Sequence, residues 1–112
     1  MIIQGDTFSV TFKADTIVMS GKLSLMTEDY DPIENLFQSV VEAKPSCLTL
    51  DIRNLEYLNS SGIKTICVAL ILEAAERENI QLKILCSKKY TWQNETIPTL
   101  KDLMEPMEIF FE

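Results

Sequence analysis

The sequence predicts an α/β protein: one mixed β-sheet with helices packed on it, in the order β-β-α-β-α-β-α-β, as a single domain over residues 1–112. Three observations carry that expectation. Short stretches alternate apolar and polar residues with the period of a strand, and longer ones repeat apolar residues at helical spacing. After the first two strands the two patterns alternate, which implies parallel neighbouring strands joined by crossover connections. Finally, a chain of 112 residues can bury roughly two-thirds of its unfolded surface, enough for a core without covalent staples.

The elements follow in order. Phe8, Val10 and Phe12 alternate with Thr7, Ser9, Thr11 and Lys13, the signature of a half-buried strand. Ala14-Asp15 reads as a tight turn into a second strand from Thr16 to Ser20, so the two should form an antiparallel hairpin. Gly21 breaks that strand, and a polar stretch from Thr27 to Asp31 leads to a helix start. There Asp31 offers an N-cap acceptor, Pro32 suits the first helical position and Glu34 adds an early negative charge. Ile33, Leu36, Phe37, Val40 and Val41 form one apolar stripe, and Lys44-Pro45 ends the helix. Leu48, Leu50 and Ile52 mark a third strand, followed by the connection Arg53 to Leu58. A second helix runs from about Ile63 to Glu78. Ile63, Ile66, Cys67, Leu70 and Ala74 make one stripe, yet Val68, Ile71, Leu72 and Ala75 make much of the remaining surface apolar too. Such a helix is covered on both sides or offers one side to another protein. Ile80, Leu82 and Ile84 mark the fourth strand. The segment Ser87 to Asn94, polar apart from Tyr90 and Trp92, carries no clear pattern. Thr96-Ile97-Pro98 opens a third helix with Leu100, Leu103 and Met104, ending near Glu105-Pro106, and Met107, Ile109 and Phe111 give the last strand.

Composition narrows the chemistry. The chain has no histidine, which removes Ser-His-Asp and Cys-His nucleophile systems, histidine-ligated zinc and imidazole acid–base catalysis. Seventeen acidic against ten basic residues give a formal net charge of −7. That balance disfavours nucleic acid and anionic membrane surfaces, which need clustered cations. Cys47, Cys67 and Cys86 are widely spaced and odd in number, so neither a disulfide framework nor a metal site is expected, and they read as small buried apolar residues. The start Met1-Ile2-Ile3-Gln4-Gly5-Asp6 lacks the pattern of a secretory signal, and the longest apolar run, Cys67 to Leu72, is too short to span a membrane. The expected location is cytoplasmic.

The informative segment follows the third strand. In open α/β sheets functional groups gather beyond the carboxyl ends of strands, where loops enter helix N-termini. Asn59-Ser60-Ser61-Gly62 occupies that place. An Asn or Ser there can cap the helix, and a phosphate on Ser60 would add about −1.5 to −2 charge beside first-turn amides that favour an anion. The same four residues also make an ordinary turn and cap.

The stretch Cys47 to Ile66, Cys-Leu-Thr-Leu-Asp-Ile-Arg-Asn-Leu-Glu-Tyr-Leu-Asn-Ser-Ser-Gly-Ile-Lys-Thr-Ile, resembles the signature region of the STAS domain of sulfate transporters and anti-sigma-factor antagonists. In that family a strand ends in aspartate, and an apolar-spaced connection leads to Asp-Ser-Ser-Gly-[Leu/Ile] at the helix start. Asp51, Leu55, Leu58, Ser60, Ser61, Gly62 and Ile63 match in place. The resemblance implies a STAS-like fold and a non-enzymatic bacterial partner-switching module. Its unmodified form would hold a GHKL-type serine kinase that doubles as anti-sigma factor. That kinase would release itself by phosphorylating Ser60, and a PP2C-type phosphatase would restore the site. Asp51, Asn59, Ser61, Gly62 and Ile63 would then belong to the motif and partner surface. A STAS-fold binding protein acting by contact alone is the alternative.

Three positions depart from the family. Asn59 replaces the aspartate before the serine, and Gly21-Lys22-Leu23-Ser24 replaces Gly-Glu-Leu-Asp. The family's usual helix after the last strand is not seen in this sequence, which runs to Phe111-Glu112, and surface left to a partner or to a second copy in a homodimer is the expectation drawn from that. Two other classes fit less well. A serine enzyme would have only Lys64 or a carboxylate as base and lacks a G-x-S-x-G elbow. An acidic carrier protein would be helical, against the strand count. No catalytic residue, cofactor or metal is expected.

Overall fold

The computed structural model describes residues 1–77, 79–104 and 106–112. Six strands form one sheet in chain order: β1 Ile2–Gln4, β2 Phe8–Lys13, β3 Thr16–Leu23, β4 Cys47–Leu58, β5 Gln81–Cys86 and β6 Glu108–Phe111. The first two pairings are antiparallel and the remaining three parallel. Helix α1 covers Asp31–Glu42, preceded by a 3₁₀ turn at Thr27–Tyr30. A composite helix occupies residues 60–75: α2 Ser60–Thr65, a π-type stretch Ile66–Leu72 and α3 Glu73–Ala75. Helix α4 spans Thr91–Thr96 and tightens into a 3₁₀ helix, Ile97–Leu103.

The expected α/β class, mixed sheet and hairpin are all present, with differences that have physical reasons. β1 pairs Ile2 with Thr11 and Gln4 with Ser9; three residues are too few to display a period, so the sequence pattern does not reveal it. Gly21 does not end β3. Its φ of +89° sits at a register shift, and a Cβ there would meet the Thr7 carbonyl oxygen at 2.1 Å, so glycine lets the strand bulge and continue to Leu23. Asp31 is already helical, and no side chain caps α1, because the 3₁₀ turn feeds the helix directly. Lys44, at φ +52°, turns the chain out of α1 as expected.

The segment Arg53 to Leu58 is strand rather than connection. β4 pairs with β5 over residues 47–51 but follows β3 over 49–58. The third helix starts five residues before Thr96, inside the segment that carried no pattern. Its expected end at Glu105, and the expected end of the second helix at Glu78, lie outside the described residues.

Alternation along the strands sends Val10, Ile17, Met19, Leu48, Leu50, Ile52, Leu82 and Ile84 to one face, where they are buried under the helices. The α1 stripe of Ile33, Leu36, Phe37, Val40 and Val41 is buried against them. Each such side chain contributes about 1.5–3 kcal/mol relative to exposure. The opposite face carries polar and β-branched residues, including the pair Ser9 and Ser20, whose hydroxyls meet at 2.7 Å. Met104 and Met107 fill core, and Cys86 is buried; Cys67 is partly so, while Cys47 is exposed and departs from the expected burial of the cysteines. Among the described residues no helix is long and apolar enough to cross a membrane.

Candidate functional site

The far end of β4 delivers Asn59 to the start of α2. Asn59 has extended backbone (φ −78°, ψ 174°), and its side-chain oxygen accepts from the Gly62 amide at 3.0 Å, the N-cap expected from its residue type. Its side-chain amide donates to the Leu25 carbonyl at 2.8 Å. The Tyr30 hydroxyl donates to the same Asn59 oxygen and lies 3.4 Å from the Leu25 amide, which donates to it. Asn59 thus ties β4, the loop before α1 and the α2 start together. An aspartate could cap Gly62 equally well, but it has no N–H for Leu25 and would set a carboxylate against that carbonyl. Asparagine therefore serves both the Gly62 amide and the Leu25 carbonyl, where aspartate would serve only the first.

Tyr30 is 1% exposed. Burial pushes its phenol above the ordinary tyrosine value, against the lowering effect of the Leu25 hydrogen bond. Gly62 is fixed by this packing: a Cβ would lie 2.2 Å from Leu58 Cδ1 and 2.6 Å from the Tyr30 hydroxyl. Neither Tyr30 nor Thr27 stands out in the sequence. Tyr30 is the one aromatic residue in an otherwise polar, acidic stretch, and that contrast is its available signal.

The two serines have different surroundings. Ser61 is half-buried, and its hydroxyl sits 3.1 Å from Thr27 Oγ1. Ser60 is exposed, and its hydroxyl takes no partner among the described residues. It borders an open groove of about 490 Å³ between the composite helix and the start of α1. Glu28, Asp31 and Glu34 line one side; Ser60, Ser61, Lys64, Thr65, Val68 and Ala69 line the other.

The composite helix explains the excess of apolar residues noted in the sequence. Across the π-type stretch the wider turn buries Ala69, Leu70 and Ile71 in succession, along with Ile66 before and Ala74 after. Ile71 is therefore core. Val68 and Leu72 remain 50% and 39% exposed, on the same side as Ser60 and Lys64. Ile63 is half-buried against the core cluster.

Asp51 is not part of this corner. It alternates with Leu50 and Ile52 onto the sheet face away from the helices. There it accepts from the Arg53 guanidinium at 3.0 and 2.9 Å and from the Arg53 amide at 3.1 Å. Burial alone would raise its carboxyl, but the Arg53 hydrogen bonds and charge outweigh that and hold it below the usual carboxylate value. Arg53 also reaches Glu112 at 3.1 Å, and its own pKa is raised by Asp51 first and Glu112 second. Burial pushes the neighbouring Cys86 thiol up to about 12, with the Asp51 charge adding. The structure brings Asn59, Ser60, Ser61 and Gly62 together at one corner, places Ile63 beneath it, and leaves Asp51 elsewhere.

One polar side chain that the sequence did not single out is fully buried. Gln93, 0% exposed, donates to the Ile52 carbonyl at 2.7 Å and to the Leu55 carbonyl at 3.0 Å, and accepts from the Ser87 amide at 2.9 Å. Trp92 Nε1 also donates to Leu55, at 3.2 Å. These groups replace β5 where it no longer pairs with β4. Among the described residues no cluster of acidic or cysteine side chains is placed to hold a metal.

No protein-family model matches the chain, and a comparison with curated proteins returns no match. Similar solved structures include the following two. One is the crystal structure of diguanylate cyclase SiaD in complex with its activator SiaC from Pseudomonas aeruginosa, in which the matched chain has a TM-score of 0.74 and 20% identity. That match covers 100% of this chain and 99% of the other, and it corresponds to the activator. The second is an anti-sigma factor antagonist from Mycobacterium paratuberculosis, with a TM-score of 0.60 and 18% identity over 96% of this chain and 82% of that one. At these identities the likeness is one of fold, and the chain has the STAS-like α/β fold that its motif region implies.

Proposed function

We propose that this chain is a non-enzymatic regulator that works by binding protein partners and is switched off by phosphorylation of Ser60. The observation that carries this reading is the contrast between the serines: Ser60 is exposed at the first turn of α2 with its hydroxyl free, whereas Ser61 is held by Thr27. The two similar structures described above contain an activator bound to the cyclase it activates and an anti-sigma factor antagonist, which supports a regulatory role over an enzymatic one.

In this reading the partner is a GHKL-type serine kinase that also acts as anti-sigma factor, and a PP2C-type phosphatase restores the hydroxyl. A hydroxyl can sit inside an interface at little cost. A phosphate dianion beside Val68 would have to be desolvated, and it would add its charge to a rim that already holds Glu28, Asp31 and Glu34. A change of about 1–3 kcal/mol alters affinity roughly 5–150-fold, enough for a switch. The test is incubation with ATP and a candidate GHKL-type kinase, followed by intact mass and peptide mapping. Phosphate on Ser60, absent from Ser60→Ala, and weaker kinase binding by Ser60→Asp are expected. No added phosphate, with all three proteins binding equally, would overturn the switch and leave a binding protein that acts by contact alone.

A second reading concerns the regulated output. The fuller overlap with the activator in the SiaD complex favours testing a diguanylate cyclase as the partner. Product formation by such a cyclase, measured with wild type and Ser60→Asp, decides it: stimulation by wild type alone supports this output, and no stimulation by either rejects it.

A further inference from the structure

The groove beside Ser60 has two unlike walls. Glu28, Asp31 and Glu34 form one, and Lys64 with Val68 forms much of the other. The ion pairs among the described residues involve Arg53 and Arg77, so none of the three carboxylates is neutralised by a neighbour, and Lys64 is free as well. Along the composite helix Val68 and Leu72 continue the exposed side as a pair of apolar side chains, 50% and 39% exposed.

We infer that this groove docks a helical segment of a partner protein that presents lysine or arginine beside an apolar stripe. The inference rests on the regulator reading and names its partner's chemistry. Three unpaired carboxylates against one ammonium attract cations and repel phosphate, so a nucleic acid or an anionic membrane is the wrong occupant. A second copy meeting this chain through the same face would oppose carboxylate to carboxylate. The walls are helical, and the exposed side chains of 60–75 recur about once per turn, the arrangement into which a third helix packs ridge into groove. The apolar pair supplies the desolvated contact, and the acidic wall fixes which face of the incoming helix turns toward α1.

The experiment uses the full chain and two fluorescein-labelled helical peptides of about 16 residues, long enough for four turns. One has leucines four apart flanked by arginines; the other carries glutamates in place of the arginines. Anisotropy titrations should show the arginine peptide binding at least about tenfold tighter, with the preference fading between about 50 and about 500 mM salt. The double variant Glu28→Lys/Glu34→Lys should lose or reverse that preference. Val68→Asp should weaken both peptides while leaving the thermal melt unchanged, since Val68 is exposed. Equal binding of the two peptides, or no binding of either, overturns the inference; so does sedimentation showing a dimer that Val68→Asp disrupts. Kinase and ATP are absent, so the result is separate from phosphate transfer: a chain that accepts phosphate on Ser60 but ignores both peptides keeps the regulator reading and loses this one.

Discussion

Two polar clusters flank the far half of β4, one closed and one open. On the β5 side, Gln93 reaches in and satisfies Ile52, Leu55 and Ser87, and is itself completely buried. On the loop side, Asn59 and Tyr30 satisfy Gly62 and Leu25, yet the residue they position, Ser60, is exposed beside a groove. Both clusters meet the same demand, that buried backbone groups find partners. The first uses its side chain to finish the sheet, and the second uses the same kind of bonds to hold an exposed hydroxyl at the surface. Burial and full hydrogen bonding therefore do not separate architecture from function; what lies next to the satisfied group does.

The largest way to test that division is Gln93→Leu. It takes the side-chain partner from the Ile52 carbonyl and the Ser87 amide in the interior, at about 1–3 kcal/mol each before relaxation, and leaves the Leu55 carbonyl with Trp92 alone. A net loss of about 3 kcal/mol in urea unfolding is expected, while the fraction of folded protein that can be phosphorylated at Ser60 stays constant. A fall in phosphorylation of the folded fraction would show the two clusters to be coupled. Gly62→Ala comes next, at about 2–3 kcal/mol, because its Cβ drives into Leu58 and the Tyr30 hydroxyl. It should also slow phosphate transfer, since the strain falls on the corner itself. Asn59→Asp is expected to cost about 1–2 kcal/mol: the cap survives but the bond to Leu25 is lost. If a thermal melt shows Asn59→Asp to be as stable as wild type, the bond to Leu25 is not what selects asparagine. Smallest of all is Ser60→Ala, within about 0.5 kcal/mol as for other exposed positions, although it should abolish phosphate uptake. A melt shifted well beyond that would move Ser60 into the structural class.

The legibility of these features in the sequence follows the range of the forces behind them. The body of helix α1 is readable, though not its cap, because Ile33, Leu36, Phe37, Val40 and Val41 repeat with the helix period and all are buried. The hairpin β2–β3 and the strands marked by Leu48 to Ile52 and Leu82 to Ile84 were readable for the same reason. The continuation of β4 to Leu58 was not, since half of that segment is polar and its strand geometry depends on β3 from another part of the chain. Helix α4 was also hidden, because Gln93 looks like a surface residue until β4 supplies its partners. At the site, the cap by Asn59 and the exposure of Ser60 follow from local rules. Tyr30 and Thr27 join the site only through the tertiary fold, about thirty residues away in the chain. Asp51 matched a family motif by position, yet alternation on the strand turns it to the opposite face of the sheet.

The π-type stretch in the composite helix bears on how residues correspond between this chain and others. An α-helix advances about 100° per residue, whereas i→i+5 bonding slows that to roughly 80°. Across residues 66–72 the helix therefore lags by about a third of a turn, which is close to the angle of one added residue. Ser60 and Leu72 end on the same side, as they would in a plain α-helix one residue shorter. When this helix is superposed on a regular one, positions before and after the stretch correspond, and a one-residue offset lies within it. Equivalences drawn through that segment without a gap would assign the exposure of Val68 or Leu72 to a buried neighbour.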